Sequence, residues 1–192
     1  MDEYAFRMAS EEDTPEIHAI YKPYVTNSAI TFEVEVPTVE EFGQRIRSIS
    51  AEYPYIVCLS DRGMAGYAYA HRHMERVAYQ WNAELSVYID SGSQGCGIGR
   101  RLYAALIAIL TLQNVKNVYG GVTSPNEKSE RLHESLGFTK LGTYRKTGYK
   151  CGAWHDVIWF EKAVGAHNLN PAPFTPIHDV DRTAIANILE NC

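Results

Sequence analysis

The segment Gln94-Gly95-Cys96-Gly97-Ile98-Gly99-Arg100 places three alternating glycines immediately ahead of a strongly apolar run. Glycine lets backbone N–H groups approach a ligand closely. A helix opening behind such a loop adds its positive dipole end, and Arg100 and Arg101 add charge. Together these would hold a pyrophosphate. The competing reading is a flexible loop with incidental glycines, and the loop alone leaves the two level. Its pattern does exclude some chemistry. A nucleotide-hydrolysing P-loop needs Gly-Lys-Ser/Thr, which is absent. A dinucleotide fold needs GxGxxG after the first strand and an acid ending the next one, but here the pattern is GxGxG and falls mid-chain.

Several other residues could move protons or hold charge. Glu84 sits in Ala83-Glu84-Leu85-Ser86-Val87, and strand alternation puts Glu84, Ser86 and Tyr88 on one face. Without further information, a surface glutamate is the favoured reading. His133 titrates near neutrality and could pass a proton; alternatively it is a helical histidine satisfied by a backbone carbonyl. Cys96, beside a helix start, could have a lowered pKa, yet covalent catalysis through it is disfavoured. His71 and His73 share a strand face, but HxH without a third spaced ligand is a weak metal signal, so no metal is expected. Arg72 and Arg76, near Tyr79 and Trp81, could meet an anionic substrate group; ordinary solvated charge is the alternative.

These residues must be positioned by elements that the pattern makes legible. Ser10 to Pro15 reads as a helix start, followed by Ile17, Ile20, Tyr21, Tyr24 and Val25 at helical spacing. Ile30, Phe32, Val34 and Val36 alternate with polar residues and predict a strand or extended segment. Thr38 and Glu41 resemble a capping box for a second helix. Residues 55–59 and 64–70 predict a hairpin around Asp61-Arg62-Gly63, and 83–89 a further strand. A helix over 100–113, a buried strand over 117–123, a helix over 126–136 ending at Gly137, and strands near 139–149 and 154–162 complete the order βαα-ββ-β-α-β-α-ββ. Helices and strands alternate only in the middle. That predicts a mixed α+β sheet and disfavours a doubly wound parallel one. Residues 1–164 form the expected domain. Residues 165–192 form an extension, a linker plus a short helix.

Composition narrows the partners. The chain has 192 residues, 45% of them hydrophobic, and a formal charge of -5. An acidic chain gains no counterion-release energy on nucleic acid, so none is expected. The longest apolar run, 102–112, is too short to span a bilayer. Met1 to Tyr4 shows no basic or apolar leader, and four cysteines without a CxxC pair fit a reducing, cytoplasmic setting.

Gln94 to Gly99 also matches the Q/R-x-x-G-x-G/A motif of the GCN5-related N-acetyltransferase (GNAT) superfamily. The likeness extends over Arg7 to Glu33, Ala83 to Ile89, Asn126 through Arg131-Leu132-His133-Glu134-Ser135-Leu136-Gly137-Phe138, and Gly148 to Val157. Over residues 5–162 the chain resembles the phosphinothricin-type amino-acid acetyltransferases. The resemblance implies a mostly antiparallel twisted sheet, splayed at its centre to admit acetyl-CoA as co-substrate. Val87, Tyr88 and Ile89 would offer backbone to its pantetheine arm, Gly95, Cys96, Gly97, Ile98, Gly99 and Arg100 would hold the pyrophosphate, and Asn126 would assist. Asn126 also suits a helix start in its own right. Glu84 matches the family's base, and His133 stands where many members have a tyrosine acid, a role Tyr88 or Tyr144 could take instead. Phe32 and Tyr69 match acceptor-pocket positions, which Arg76 and Tyr79 would complete. The acceptor would be a small amino acid or analogue such as phosphinothricin, methionine sulfoximine or methionine sulfone, and the assembly a homodimer. Transfer to another amine or a peptide N terminus, or acyl-CoA binding without catalysis, are the rival readings.

Overall fold

The computed structural model describes residues 4–192. Residues 1–3, which carry most of the N-terminal reading, lie outside the described residues. Among the described residues, seven strands form one sheet flanked by five α-helices. The strands are β1 (Ala5–Met8), β2 (Tyr55–Ser60), β3 (Gly63–Arg72), β4 (Asn82–Ile89), β5 (Asn117–Ser124), β6 (Thr139–Lys150) and β7 (Ala153–Ala163). Their order across the sheet is β1-β2-β3-β4-β5-β7-β6. The helices are α1 (Thr14–Asn27), α2 (Val39–Ser50), α3 (Ile98–Leu112), α4 (Glu127–Ser135) and α5 (Arg182–Glu190).

Local chemistry explains where the helices begin. Arg7 grips Asp13 with two hydrogen bonds of 2.6 and 2.7 Å, and Ser10 N donates to the same carboxylate at 2.7 Å. This clasp sets the entry into α1. At α2 the capping box forms as its sequence implies: Glu41 N donates to Thr38 Oγ1 at 3.2 Å, and Thr38 N to Glu41 Oε2 at 2.8 Å. The apolar faces of these two helices, Ile17, Ile20, Tyr21, Phe42 and Ile46, bury against Tyr55, Val57 and Tyr67 on one side of the sheet. On the other side α3 and α5 pack over Ile56, Ala68, Leu85 and Val118.

Every neighbouring strand pair is antiparallel except β4 and β5. Those two run parallel, and they pair only at Asn82↔Asn117, Ala83↔Val118 and Glu84↔Tyr119. Beyond that point β4 continues along β3 as far as Ile89, while β5 continues along β7 as far as Ser124. The sheet therefore splits into a wedge whose apex is the Glu84–Tyr119 pair.

The alternating residues Ile30 to Val36 do not form a strand. Side chains take the place of a neighbouring ladder there. Lys150 Nζ donates to Thr31 O at 2.8 Å, and Tyr21 Oη lies 2.8 Å from Thr31 Oγ1. Held at the Thr31 carbonyl by β6 and at the Thr31 hydroxyl by α1, the segment is an irregular loop. After β7 the chain runs back as a strap in which Trp81 Nε1 donates to Ala172 O at 2.8 Å and Phe174 N to Gln80 Oε1 at 3.0 Å. Ile177, Val180, Ile185 and Leu189 then bury in the same core as α3.

Candidate active site

The wedge has a floor, a mouth and two faces. Its β4 wall can be read from the hydrogen bonds on the far edge. His73 N donates to Asn82 O at 3.5 Å and Asp90 N to Ala65 O at 2.9 Å, so even-numbered residues of β4 face β3. Odd-numbered residues, Leu85, Val87 and Ile89, turn their backbone toward the wedge. Of the three residues expected to offer backbone there, Tyr88 is thus engaged with β3, opposite Tyr67. Ile89 is capped by a side chain: the Tyr24 hydroxyl donates to Ile89 O at 2.6 Å and accepts from Ile89 N at 3.2 Å. Val87 is left as the residue whose amide and carbonyl line the open wall. Sequence reasoning missed Tyr24, which helical spacing marked only as core.

At the mouth, Gly95 and Gly97 adopt φ values of +83° and +78°, a region that side chains disfavour. A Cβ built on either would meet nothing within 4 Å, so the Cα of each borders open space. Gly97 caps α3, whose first internal bonds are Arg100 N and Arg101 N to Gly97 O at 3.1 and 3.2 Å. The amides of Ile98 and Gly99 therefore precede any helical acceptor and project from the helix end. Ile98 buries its side chain, and Gly99 lies against Leu132 and Val87, so the loop is seated on both walls. Arg100 is exposed beside it. Arg101 is not available: its guanidinium donates to Cys192 O at 2.6 Å and lies 4.5 Å from the Phe6 ring. Cys96 is exposed, with Sγ no closer than 3.9 Å to Gln94 O. Asn126 caps α4, its Oδ1 accepting from Ser129 N at 3.2 Å. Lys128 Nζ donates to Gln94 Oε1 at 3.3 Å, a bridge from α4 to the glycine loop. A cavity of about 220 Å³ opens at this mouth, lined in part by Pro23, Tyr24, Ile89 and Gln94.

At the apex, Glu84 and His133 stand on opposite faces of the sheet. Glu84 shares its face with Tyr119, its register partner, and with His73, whose Nδ1 lies 3.3 Å from Glu84 Oε2. The next residue of β5, Gly120, points to the other face, and there a Cβ would strike the His133 ring at Nε2. His133 is only 2% exposed and is packed among Phe138, Phe160 and Tyr103 at ring distances of 5.1, 5.0 and 5.4 Å. Its Nδ1 lies 2.8 Å from Ser129 O, so that nitrogen carries the hydrogen and Nε2 keeps a lone pair, without a partner. Burial pushes the imidazole pKa down and keeps it neutral. Gly120-Gly121 within a strand was the sequence signal for a close approach of this kind.

On the Glu84 face, tyrosines form a wall. Tyr69 stacks on Tyr55 at 4.9 Å, Tyr67 on Tyr88 at 5.3 Å, and burial pushes the Tyr69 and Tyr88 phenols up, keeping both protonated. Phe32 packs against Gly148, where any side chain would collide with its ring. Tyr79 and Arg76 sit on the loop from β3 to β4, both exposed, and Arg76 makes no ion pair among the described residues. Arg72 is already committed, donating to Glu52 Oε2 at 2.9 Å. Tyr144 is exposed and rests 5.8 Å from Trp159. No group of three His, Cys, Asp or Glu residues suited to a metal ion is found among the described residues.

Such a site fits an elongated ligand with an anionic end at the glycines and a reacting end near Glu84. Comparison with known proteins agrees. The family model described as an acetyltransferase (GNAT) domain matches residues 6–159. A phosphinothricin N-acetyltransferase from Streptomyces viridochromogenes is 34% identical over 91% of this chain and 93% of its own length. An L-methionine sulfoximine/L-methionine sulfone acetyltransferase from Salmonella typhimurium is 28% identical over 84% and 95%. The crystal structure of a phosphinothricin acetyltransferase from Sinorhizobium meliloti in complex with acetyl-CoA superposes with a TM-score of 0.84 at 30% identity, covering 91% of this chain and 98% of that one.

Proposed function

Because the chain belongs to the GNAT acetyltransferase family, whose acetyl donor is acetyl-CoA, we propose that it acetylates the amine of a small amino acid or analogue of the phosphinothricin, methionine sulfoximine or methionine sulfone kind. The observation that carries this reading is the place of Glu84, at the last parallel pair before the wedge opens.

Acetyl-CoA supplies an activated acetyl carbon as its thioester. The glycine-loop amides and Arg100 receive its anionic end, with Val87 backbone along the wall and Asn126 at the start of α4. Glu84 acts as general base on the acceptor side, taking a proton from the ammonium so that the nitrogen lone pair can attack the acetyl carbon directly; the carbon–sulfur bond breaks, and the departing thiolate takes up the second proton that the nitrogen sheds. Phe32, Tyr69 and Tyr79 wall the acceptor, and Arg76, the uncommitted cation of its loop, meets the acceptor's acidic group. His133 lies on the opposite face and is neutral in this environment. A role as proton donor would need its Nε2 protonated against the burial, so its contribution to turnover is smaller than that of Glu84. The free state of Cys58, Cys96, Cys151 and Cys192 supports a reducing, cytoplasmic setting, which cell fractionation would check. The exposed aromatic hairpin of β6 and β7 supports a homodimer.

The test is CoA thiol release with methionine sulfone, phosphinothricin, spermidine and a short peptide compared side by side. The amino-acid analogues should be preferred. Arg76→Ala should raise the acceptor KM about tenfold, the loss of one charge-assisted contact, with acetyl-CoA binding intact. Glu84→Gln should cut turnover with acetyl-CoA affinity little changed. Preference for spermidine or peptide would overturn the acceptor assignment, and full activity of Glu84→Gln would overturn the base.

A further inference from the structure

Glu84 is held by a residue that the family reading leaves without a role. His73 follows directly on β3, where the chain leaves the sheet for the loop bearing Arg76. Its Nδ1 lies 3.3 Å from Glu84 Oε2, and the two side chains are only 14% and 24% exposed. A carboxylate accepts and does not donate, so the hydrogen of this contact resides on Nδ1. The distance is long for a hydrogen bond, as catalytic contacts often are before the substrate is bound.

The imidazole has little freedom. It stacks on Tyr119 of β5 with ring centres 4.3 Å apart and planes 14° from parallel. The Trp159 ring of β7 meets it nearly edge-on at 5.5 Å. Tyr119 is also the register partner of Glu84. The same tyrosine therefore supports the histidine and stands across the apex from the carboxylate. A ring clamped in this way presents its N–H in one direction and selects the carboxylate orientation that can accept it.

We propose that His73 is a positioning residue for Glu84: its Nδ1–H holds Oε2, which leaves Oε1 to take the acceptor's proton. The inference rests on Glu84 being the base. In the step, the N–H bond of the ammonium breaks, its proton passes to Oε1 and the electron pair stays on the amine nitrogen. The hydrogen on Nδ1 stays on His73 throughout, so His73 orients the carboxylate and transfers no proton in this role.

Two substitutions separate the hydrogen bond from the packing. His73→Phe keeps a ring to stack on Tyr119 and removes the donor. His73→Asn removes the ring and keeps an amide N–H near the position of Nδ1. His73→Phe should lower kcat about tenfold or more, with a smaller change in acceptor KM, and His73→Asn should recover most of that loss. In a Glu84→Gln background, His73→Phe should cost no further activity, because there is no base left to orient. Wild-type kcat in His73→Phe, with Glu84→Gln inactive, would overturn the role of His73 and leave the base standing. An equal kcat loss in two folded proteins, His73→Phe and His73→Asn, would assign the effect to packing and overturn it too. If His73→Phe does not fold, His73→Asn alone decides, since only retention of the hydrogen bond predicts near-native kcat. Activity retained by Glu84→Gln would remove the base reading first, and this one with it.

Discussion

His133 shows how a residue type can suggest one chemistry and its surroundings another. Imidazole titrates near pH 6.5 when unperturbed, which is what makes it attractive as an acid. Here burial lowers its pKa, so the folded protein resists a proton that the unfolded chain accepts readily. Stability from this site is present in full above the unfolded pKa and is lost as pH falls through the lowered folded value. Replacing His133 by Leu should therefore flatten the acid-side decline of Tm that sets in below about pH 6.5. The comparison is between variant and wild type, since His18, His71, His73, His155, His167 and His178 remain in both. An unchanged decline would show that His133 is not held neutral. The sequence named His133 and Glu84 but could not show that they face apart. That depends on the parallel register Glu84↔Tyr119, which no local pattern encodes. Arg72 and Arg101 were unreadable for a similar reason: their partners, Glu52 and Cys192, are distant in sequence.

At the scale of the element, the strand–loop–helix unit from β4 to α3 was the most legible part of the chain. Its glycines mark backbone conformations that other residues disfavour, and the structure finds Gly95 and Gly97 at positive φ. Gly97→Val should cost about 1–2 kcal/mol of stability from the left-handed backbone. The fold should survive, because the new Cβ meets nothing within 4 Å. CoA affinity by calorimetry should fall about tenfold or more, since the side chain stands where the anion must approach. Equal affinity would refute the assignment of the loop. Less legible was the stretch from Ile30 to Val36. Its period of two fits a strand, but Lys150 and Tyr21, from β6 and α1, engage Thr31. Periodicity reports which side chains share a face and is silent on what pairs with the backbone.

For the whole molecule, the order of elements could be read because each boundary carries a cap, a turn or a glycine. Where the last 28 residues of the sequence go could not. The strap ties Ala172 and Phe174 to Trp81 and Gln80, next to the loop that bears Arg76, and Cys192 reaches back to Arg101 on the first turn of α3. At the β6 edge of the sheet, aromatic side chains stand exposed. Tyr149 and Trp154, 59% and 61% exposed, pair edge-on at 5.4 Å across the β6–β7 hairpin. An exposed aromatic pair of this size on an edge hairpin is a candidate subunit contact. Light scattering at micromolar concentration, the usual working range for weak dimers, should return twice the 21.6 kDa chain mass. Trp154→Glu should return a single chain. A monomer for the unaltered protein would contradict the homodimer.

The three-pair junction between β4 and β5 has a consequence for how this chain can vary in length. Each strand residue advances about 3.3 Å and reverses the facing of its side chain. One residue inserted or deleted between the junction and the glycine loop would shift the carboxylate by that amount relative to the anion site. It would also turn the remaining side chains of β4 to the wrong layer. Under the proposed function, residues there can be exchanged one for another, but their number is set by the length of the co-substrate between glycine loop and carboxylate. The turn that carries Arg76 lies outside this spacing, so a change of its length would leave the distance from Glu84 to the glycine loop as it is.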